Sequence, residues 1–330
     1  MNKTLQQKDI DIVIAWVDGS DPAMQRKRNQ YLEQAKRIPT ISSKARRFSD
    51  NGEIRFCLQS IATHMPWVNR VYIVTDGQTP ECVANMPKTI EPIKDRIRIV
   101  DHQEIFRGHE ELLPTFNSLS IETFLWRING LAENFIYMND DMFFCGAVCP
   151  EDFFIKRKVV LRGSWSGWDE VAKLSFHSEN NRNGARLTEF SGDKFFKAIH
   201  VGYPMRKSIL KNAYEANQSA FIKNASHRFR ARKQFWPVSL HNHLAFSQKF
   251  AKRKRDSNDW VHFSVAFCRD ADADAIRKKL NVLSRKDKKL GCLNYSEAVV
   301  EKVPGALKKL QKVTAPSLLQ RLILMTKKAS

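Results

Sequence analysis

Of the 330 residues only 6 are cysteines, and none of them makes a C-x-x-C pair, which argues against a disulfide framework and a zinc ribbon. Cys57, Cys82, Cys145, Cys149, Cys268 and Cys292 are therefore expected as free thiols in a reducing cytoplasm. No apolar run approaches the ~20 residues that a membrane-spanning helix needs, and the polar stretch from Met1 to Asp9 lacks the layout of a signal peptide. With 13 Gly and 12 Pro, the chain is neither collagenous nor of low complexity. Acidic residues are in deficit: 35 Asp and Glu stand against 55 Lys and Arg, a net charge of +20. That surplus forecasts an anionic partner, whether nucleic acid, a phosphorylated substrate or an acidic membrane surface, and says nothing about fold. What is present in quantity is core material, at 42% hydrophobic and 10% aromatic residues, enough for one large domain or two smaller ones.

Apolar, β-rich runs at residues 10–17, 71–75, 97–100 and 134–138 each end at turn residues, and amphipathic segments separate them. The clearest of these helices has Ile54, Leu58, Ile61 and Ala62 at helical spacing behind Ser49-Asp50-Asn51-Gly52-Glu53, a capping-like start. Another is expected between Asn117 and Leu131, and a further one from Ser208 to Ala220. Alternating strand and helix over the first 150 residues predicts an α/β fold with a mostly parallel open sheet, Rossmann-like in its arrangement.

Ligands on such sheets sit beyond the carboxyl ends of the strands. Asp18, Asp76, Asp101 and Asp140 all fall there. Each has a plain alternative, since Asp also caps the next helix or closes an Asx-turn. Asp140 with Asp141 makes the stronger case, because adjacent carboxylates repel unless something separates them, and their hard oxygens suit Mg²⁺ or Mn²⁺ bridging a diphosphate.

The C-terminal 82 residues, 249–330, hold 20 Lys and Arg against 8 Asp and Glu, so the excess charge is concentrated there. Leucines alternate with lysines from Leu307 to Lys328, which fits an amphipathic helix on an anionic membrane or one packed on the domain with a solvated basic face. The expected division is a catalytic α/β domain over 1–248 and a basic helical segment over 249–330.

Five ordered motifs carry a resemblance. They are Asp11-Ile-Val-Ile-Ala-Trp-Val-Asp-Gly-Ser-Asp-Pro22, Arg47-Phe-Ser-Asp-Asn-Gly-Glu-Ile-Arg55, Val71-Tyr-Ile-Val-Thr-Asp-Gly-Gln78, Leu113-Pro-Thr-Phe-Asn-Ser118 and Tyr137-Met-Asn-Asp-Asp-Met-Phe143. Together they closely resemble the Stealth family of sugar-1-phosphate transferases, densely over residues 10–145. A third family block resembles His200 to Glu215 with His227-Arg228-Phe229-Arg230, within an active-site stretch at 195–245. A fourth matches Gly291-Cys292-Leu293-Asn294 but has Tyr295 where the family usually has Asp, so no role is carried over there.

The resemblance implies a nucleotide-sugar fold of GT-A type and transfer of a hexose 1-phosphate from a UDP-sugar to a glycan hydroxyl, with release of UMP, in bacterial surface-polysaccharide synthesis. N-Acetylhexosamine 1-phosphate and galactose 1-phosphate are both compatible groups, and a lipid-linked glycan is the expected acceptor. Attack at the β-phosphorus requires neutralisation of a diphosphate. Asp140 and Asp141 would hold the Mg²⁺ or Mn²⁺, while Arg55, Arg228 and Arg230 match phosphate bidentately. His200 is the candidate to take the acceptor proton or to stabilise the phosphoryl group, with Glu53 as an alternative base. Trp16, Asp18 and Gly19 would hold the nucleoside; Asp50, Asn51, Asn117 and Asn139 would orient sugar or phosphate. The expected location is cytoplasmic, with docking on the inner face of the cell membrane through the basic tail. A metal-dependent glycosyltransferase that releases UDP is the near alternative. A nucleic-acid-binding protein is the distant one, disfavoured because the charge lies away from the motifs and no recognition signature is present.

Overall fold

A computed structural model describes residues 10–34, 51–168, 175–188, 190, 192–255 and 257–315. In chain order the strands are β1 (Ile10–Ala15), β2 (Val71–Thr75), β3 (Ile97–Asp101), β4 (Asn134–Asn139), β5 (Met142–Phe144), β6 (Phe154–Ile155), β7 (Lys158–Leu161), β8 (Gly163–Gly167), β9 (Lys194–Ala198), β10 (Tyr203–Arg206), β11 (Ala251–Arg253), β12 (Trp260–Phe263) and β13 (Leu290–Leu293).

The main sheet has the order β3-β2-β1-β4-β10. Its first four strands run parallel, and β10 closes one edge antiparallel to β4. Strands buried on both faces read as continuous apolar runs, which is why β1, β2 and β4 were visible as such. Pro204 has no N–H to donate and sits in the edge strand, where that lack is tolerated. Register aligns Ala15 with Val74 on one side and with Asn139 on the other, so the carboxyl ends of β1, β2 and β4 open at one level. At the opposite end the buried Asp11 carboxylate accepts from Asn69 Nδ2 (2.8 Å), the Arg70 amide (3.1 Å) and the Ala132 amide (2.6 Å), fastening the starts of three parallel strands.

The helix Glu53–His64 covers the sheet with Ile54, Leu58 and Ile61, as its spacing predicts. It begins after Gly52, whose φ of +81° is a conformation L side chains rarely adopt. Asn117 to Leu131 is less regular than expected, with a short helix at Ser118–Glu122 and a 3₁₀ turn at Leu125–Arg127. The helix expected from Ser208 to Ala220 is two, Lys207–Ala216 and Gln218–Ala225, because Asn217 interrupts the first and caps the second through Ala220 N.

Strand pairing crosses the boundary expected at residue 249. Strand β11 pairs with β7, and β13 pairs antiparallel with β5, so the chain beyond 248 is woven into the sheets of the part before it. The pairing follows from packing: β12 and β13 are apolar enough to be buried, and Gly291 lets the Phe143 ring lie where a Cβ would meet it at 2.4 Å. The helix Ala306–Thr314 lies on Glu53–His64, with Gln59 Nε2 donating to Gln311 O (3.1 Å) and Thr314 Oγ1 (2.8 Å). The remainder of the Leu307 to Lys328 stretch, from residue 316 on, lies outside the described residues. No described helix is long and apolar enough to cross a membrane.

Candidate functional site

The carboxyl ends of β1, β2 and β4 open into a cavity of about 830 Å³. Of the residues expected there, Trp16, Asn51, Glu53, Asn117, Asn139, Asp140, Asp141, His200 and Arg230 line it. Asp50 lies outside the described residues.

Four expectations are placed elsewhere. Asp18 and Gly19 form a tight turn off the cavity, in which Asp18 Oδ1 accepts from Ser20 N (2.8 Å) and Ser20 Oγ (2.5 Å), the Asx reading of a strand-end Asp. Gln25 Nε2 fastens the Gly19 carbonyl at 3.0 Å. Arg55 is exposed, because the helix that turns Ile54 and Leu58 inward turns Arg55 to solvent. Arg228 donates through Nη2 to the carbonyls of Glu111 (3.3 Å) and Leu113 (3.1 Å) and lies over the Tyr31 ring, so it supports the 111–113 turn and not the cavity lining. Asp101 likewise caps the helix after it, accepting from Gln103 N at 2.8 Å.

At the end of β4 the chain turns through Asp140 and Asp141 into β5. The partner strand β13 brings Leu293 N to the Asp141 carbonyl (2.9 Å) and delivers Asn294 beside it. Asn294 Nδ2 donates to Asp141 Oδ2 at 2.5 Å, and Asn294 Oδ1 pairs with His262 Nε2. The other oxygen, Asp141 Oδ1, is buried without a hydrogen-bond partner. Burial raises the Asp141 carboxyl above its usual range, opposed by Asn294 and by His262.

His200 enters from the loop between β9 and β10. Its Nδ1 lies 2.6 Å from the Tyr203 hydroxyl, and its ring centroid is 5.5 Å from that of His262. Burial, with the positive charge of His262 and Arg230 nearby, pushes its pKa down to about 3, so the imidazole is neutral at physiological pH. Burial holds the Tyr203 phenol well above its usual range, so it stays protonated.

Arg230, on the loop before the helix Pro237–Ser247, donates through Nη2 to Ser118 Oγ at 2.5 Å. Ser118 opens the helix whose last residue is Glu122, a side chain that the sequence did not single out. Glu122 lines the cavity at 4% exposure, and burial pushes its carboxyl up to about 7, with Arg230 opposing that rise. The Tyr137 hydroxyl stands between Glu122 Oε1 (3.1 Å) and Asn139 Oδ1 (3.0 Å). A single hydroxyl proton cannot serve two acceptors, an arrangement completed when Glu122 is protonated and donates to the phenol oxygen.

Also lining the cavity, Glu53 pairs with Ser296 Oγ and accepts from the Asn51 amide (2.6 Å) and Asn51 Nδ2 (3.2 Å). Near the ends of β2 and β3, Asp76 pairs with Lys27 at 2.6 Å, and His102 lines the cavity with neither ring nitrogen hydrogen-bonded. Burial pushes the His102 imidazole down to about 4 although Asp76 and Asp101 pull it up.

The arrangement thus combines a carboxylate pair, a neutral imidazole, a half-buried guanidinium and a carboxyl that titrates near neutrality. That set can bind a divalent cation and a polyanion and move one proton. For the cation, the unpartnered Asp141 Oδ1 next to Asp140 fits a hard ion of the Mg²⁺ or Mn²⁺ kind.

Comparison with known proteins gives two family matches: Stealth protein CR1, conserved region 1, over residues 8–36, and Stealth protein CR2, conserved region 2, over residues 47–161. An exopolysaccharide phosphotransferase of Streptomyces coelicolor is 32% identical over 296 residues, covering 86% of this chain and 47% of the relative. The capsular polysaccharide phosphotransferase cps12A of Actinobacillus pleuropneumoniae is 42% identical over 227 residues, covering 66% and 59%. The capsular polysaccharide phosphotransferase eps5J of Streptococcus thermophilus is 31% identical over 238 residues, covering 69% of this chain and 92% of the relative. The chain therefore spans about half the length of the first two and nearly all of the third. Among solved structures, the galactosyltransferase LgtC bound to donor and acceptor sugar analogues superposes with a TM-score of 0.42 at 12% identity, over 94% of this chain and 99% of that one.

Proposed function

This chain belongs to the Stealth protein family, and we propose that it transfers a hexose 1-phosphate from a UDP-sugar to a glycan hydroxyl, forming a phosphodiester and releasing UMP. The observation that carries the reading is the convergence, on one cavity at the sheet's carboxyl edge, of Asp141, His200, Arg230 and Glu122. Each answers a demand of attack at the β-phosphorus. Arg230 supplies a fixed positive charge to phosphoryl oxygens in a site of low dielectric. His200, neutral and receiving the Tyr203 proton at Nδ1, presents Nε2–H as a donor to the phosphoryl group in flight. Glu122, titrating at about 7, is better matched than His200 to take the acceptor proton. Asp140 and Asp141 would hold Mg²⁺ or Mn²⁺, which when bound neutralises the diphosphate. Asn294 keeps Asp141 aimed, and Glu53 with Asn51 and Ser296 offers hydrogen bonds to a sugar in the same cavity.

The acceptor is a growing surface glycan, lipid-linked, and the exposed Lys308 and Lys312 face suits approach to an anionic membrane from the cytoplasmic side. Product analysis tests the reading. Purified protein with Mg²⁺, a panel of UDP-sugars and an extract of lipid-linked glycan should release UMP and leave phosphorus in the product. Release of UDP with a phosphorus-free glycoside would overturn it.

A further inference from the structure

Cys292 is fully buried within β13, two residues before Asn294. Its Sγ, one carboxylate oxygen of Asp141 and one ring nitrogen of His200 all lie within 4.8 Å of one another. A thiol, an imidazole and a carboxylate form a poor donor set for Mg²⁺, which takes oxygen, and a good one for zinc and its thiophilic neighbours. We propose that Asp141, His200 and Cys292 form a site for a thiophilic divalent ion of the zinc class, entered from the cavity, and that filling it shuts the catalytic centre.

The surrounding hydrogen bonds argue for a built site. Metal-ligating histidines and carboxylates are normally held by a second set of partners on their other atoms. Here the Tyr203 hydroxyl holds His200 Nδ1 at 2.6 Å, and Asn294 Nδ2 holds Asp141 Oδ2 at 2.5 Å. The Asp141 Oδ1 atom is buried and without a hydrogen-bond partner. Tetrahedral zinc places its ligand atoms about 3.3 to 3.7 Å apart, so the three groups close by roughly an ångström to coordinate. Without a cation, burial and the Asp141 charge keep the Cys292 thiol protonated. Metal entry releases that proton to solvent, forms the metal–sulfur bond and reverses the His200–Tyr203 hydrogen bond, so that Nδ1–H donates to the phenol oxygen and Nε2 binds.

The consequence for activity rests on the transfer reading above. Zinc would occupy Asp141 and remove the Nε2–H of His200, and so compete with Mg²⁺ at one ligand and cancel a donor at another. The binding itself does not rest on that reading, so its test is kept apart from turnover. Cobalt(II) is the probe, titrated into protein carrying Cys149→Ser to silence the exposed thiol. A thiolate-to-cobalt charge-transfer band at one equivalent, lost when Cys292→Ser is added, is the expected result. No band, or a band that survives Cys292→Ser, overturns the site. Circular dichroism and thermal unfolding establish that the Cys292→Ser protein is folded; if it is not, the same loss of the band in Cys292→Ala protein, or its persistence there, decides. Zinc added to Mg²⁺-supported turnover should inhibit, and Cys292→Ser should raise the inhibiting concentration at least about tenfold. Equal inhibition of both proteins overturns the link to the catalytic centre.

Discussion

Asn294 donates to Asp141 across 153 residues of sequence, at 2.5 Å. The contact joins the turn after β4 to the residue after β13, and it also holds His262 through the same amide. The Asp141 carboxylate is therefore aimed by a side chain from far along the chain.

Asn294→Ala should lower turnover about 10- to 100-fold, the usual cost of losing a partner behind a metal ligand. The Mg²⁺ concentration for half-maximal rate should rise with it. Metal-dependent kinetics with an unchanged Mg²⁺ requirement would show that Asn294 does not act through Asp141.

The Glu122 carboxyl titrates at about 7 when folded, against 4.5 ordinarily, so the folded protein holds a proton that the unfolded chain has lost between those values. This contribution is complete below pH 4.5 and is lost as pH rises through 7, by roughly 3 kcal/mol in all. Thermal unfolding from pH 5 to 8 should give a difference between wild type and Glu122→Gln that changes by several degrees over that range. Parallel curves would mean that Glu122 is ionised throughout. On the proposed mechanism the same substitution should lower turnover by orders of magnitude.

His241 and His243 work in the opposite direction. Their Nε2 atoms accept from the Arg206 amide and the Phe196 amide, each at 2.9 Å, and burial pushes both imidazoles down to about 4. Protonation at Nε2 would break those bonds, so the stability they supply is present above pH 6.5 and is lost as pH falls toward 4. His243→Gln should cost about 1–3 kcal/mol at pH 7 and make acid unfolding shallower, measured by near-ultraviolet circular dichroism.

Arg230 and Arg228 should separate. Arg230→Lys keeps a charge but loses the planar fork, and turnover should fall at least about 100-fold with little change in melting temperature. Arg228→Ala should instead cost about 1–3 kcal/mol of stability through the carbonyls of Glu111 and Leu113. Equal loss of turnover in two equally stable proteins would return Arg228 to the catalytic set.

The half of the site that was legible follows from the parallel sheet. Buried strands announce themselves as apolar runs, and their carboxyl ends mark where Asp140 and Asp141 must lie. His200, Arg230 and Glu53 were reached through the family motifs and do line the cavity. Glu122 was missed because a glutamate at the end of a five-residue helix has no pattern of its own; only its burial sets it apart. His262 was missed because β12 is four residues, too short for a period, and its place beside β13, which pairs in turn with β5, is set by contacts distant in sequence. Asn294 was visible in the fourth family block but carried no role there, because Tyr295 departs from the family pattern. Asp18 and Arg228 show the opposite case, in which residues suited to binding are engaged by a turn and by loop carbonyls, and Asp101 takes the capping alternative that its position after a strand already offered.

Strand β13 also acts as a clock. As the chain leaves the ribosome, β1 to β4 are free to pair soon after residue 139 emerges, but Asp141 meets its partner only when residue 294 is out. At ~5–20 residues per second, the nascent protein carries a sheet and an unfinished centre for roughly 8 to 30 seconds. A stalled ribosome or a protease that removes everything from residue 290 onward leaves that state permanent, with the strand-end carboxylates in place and nothing to aim them.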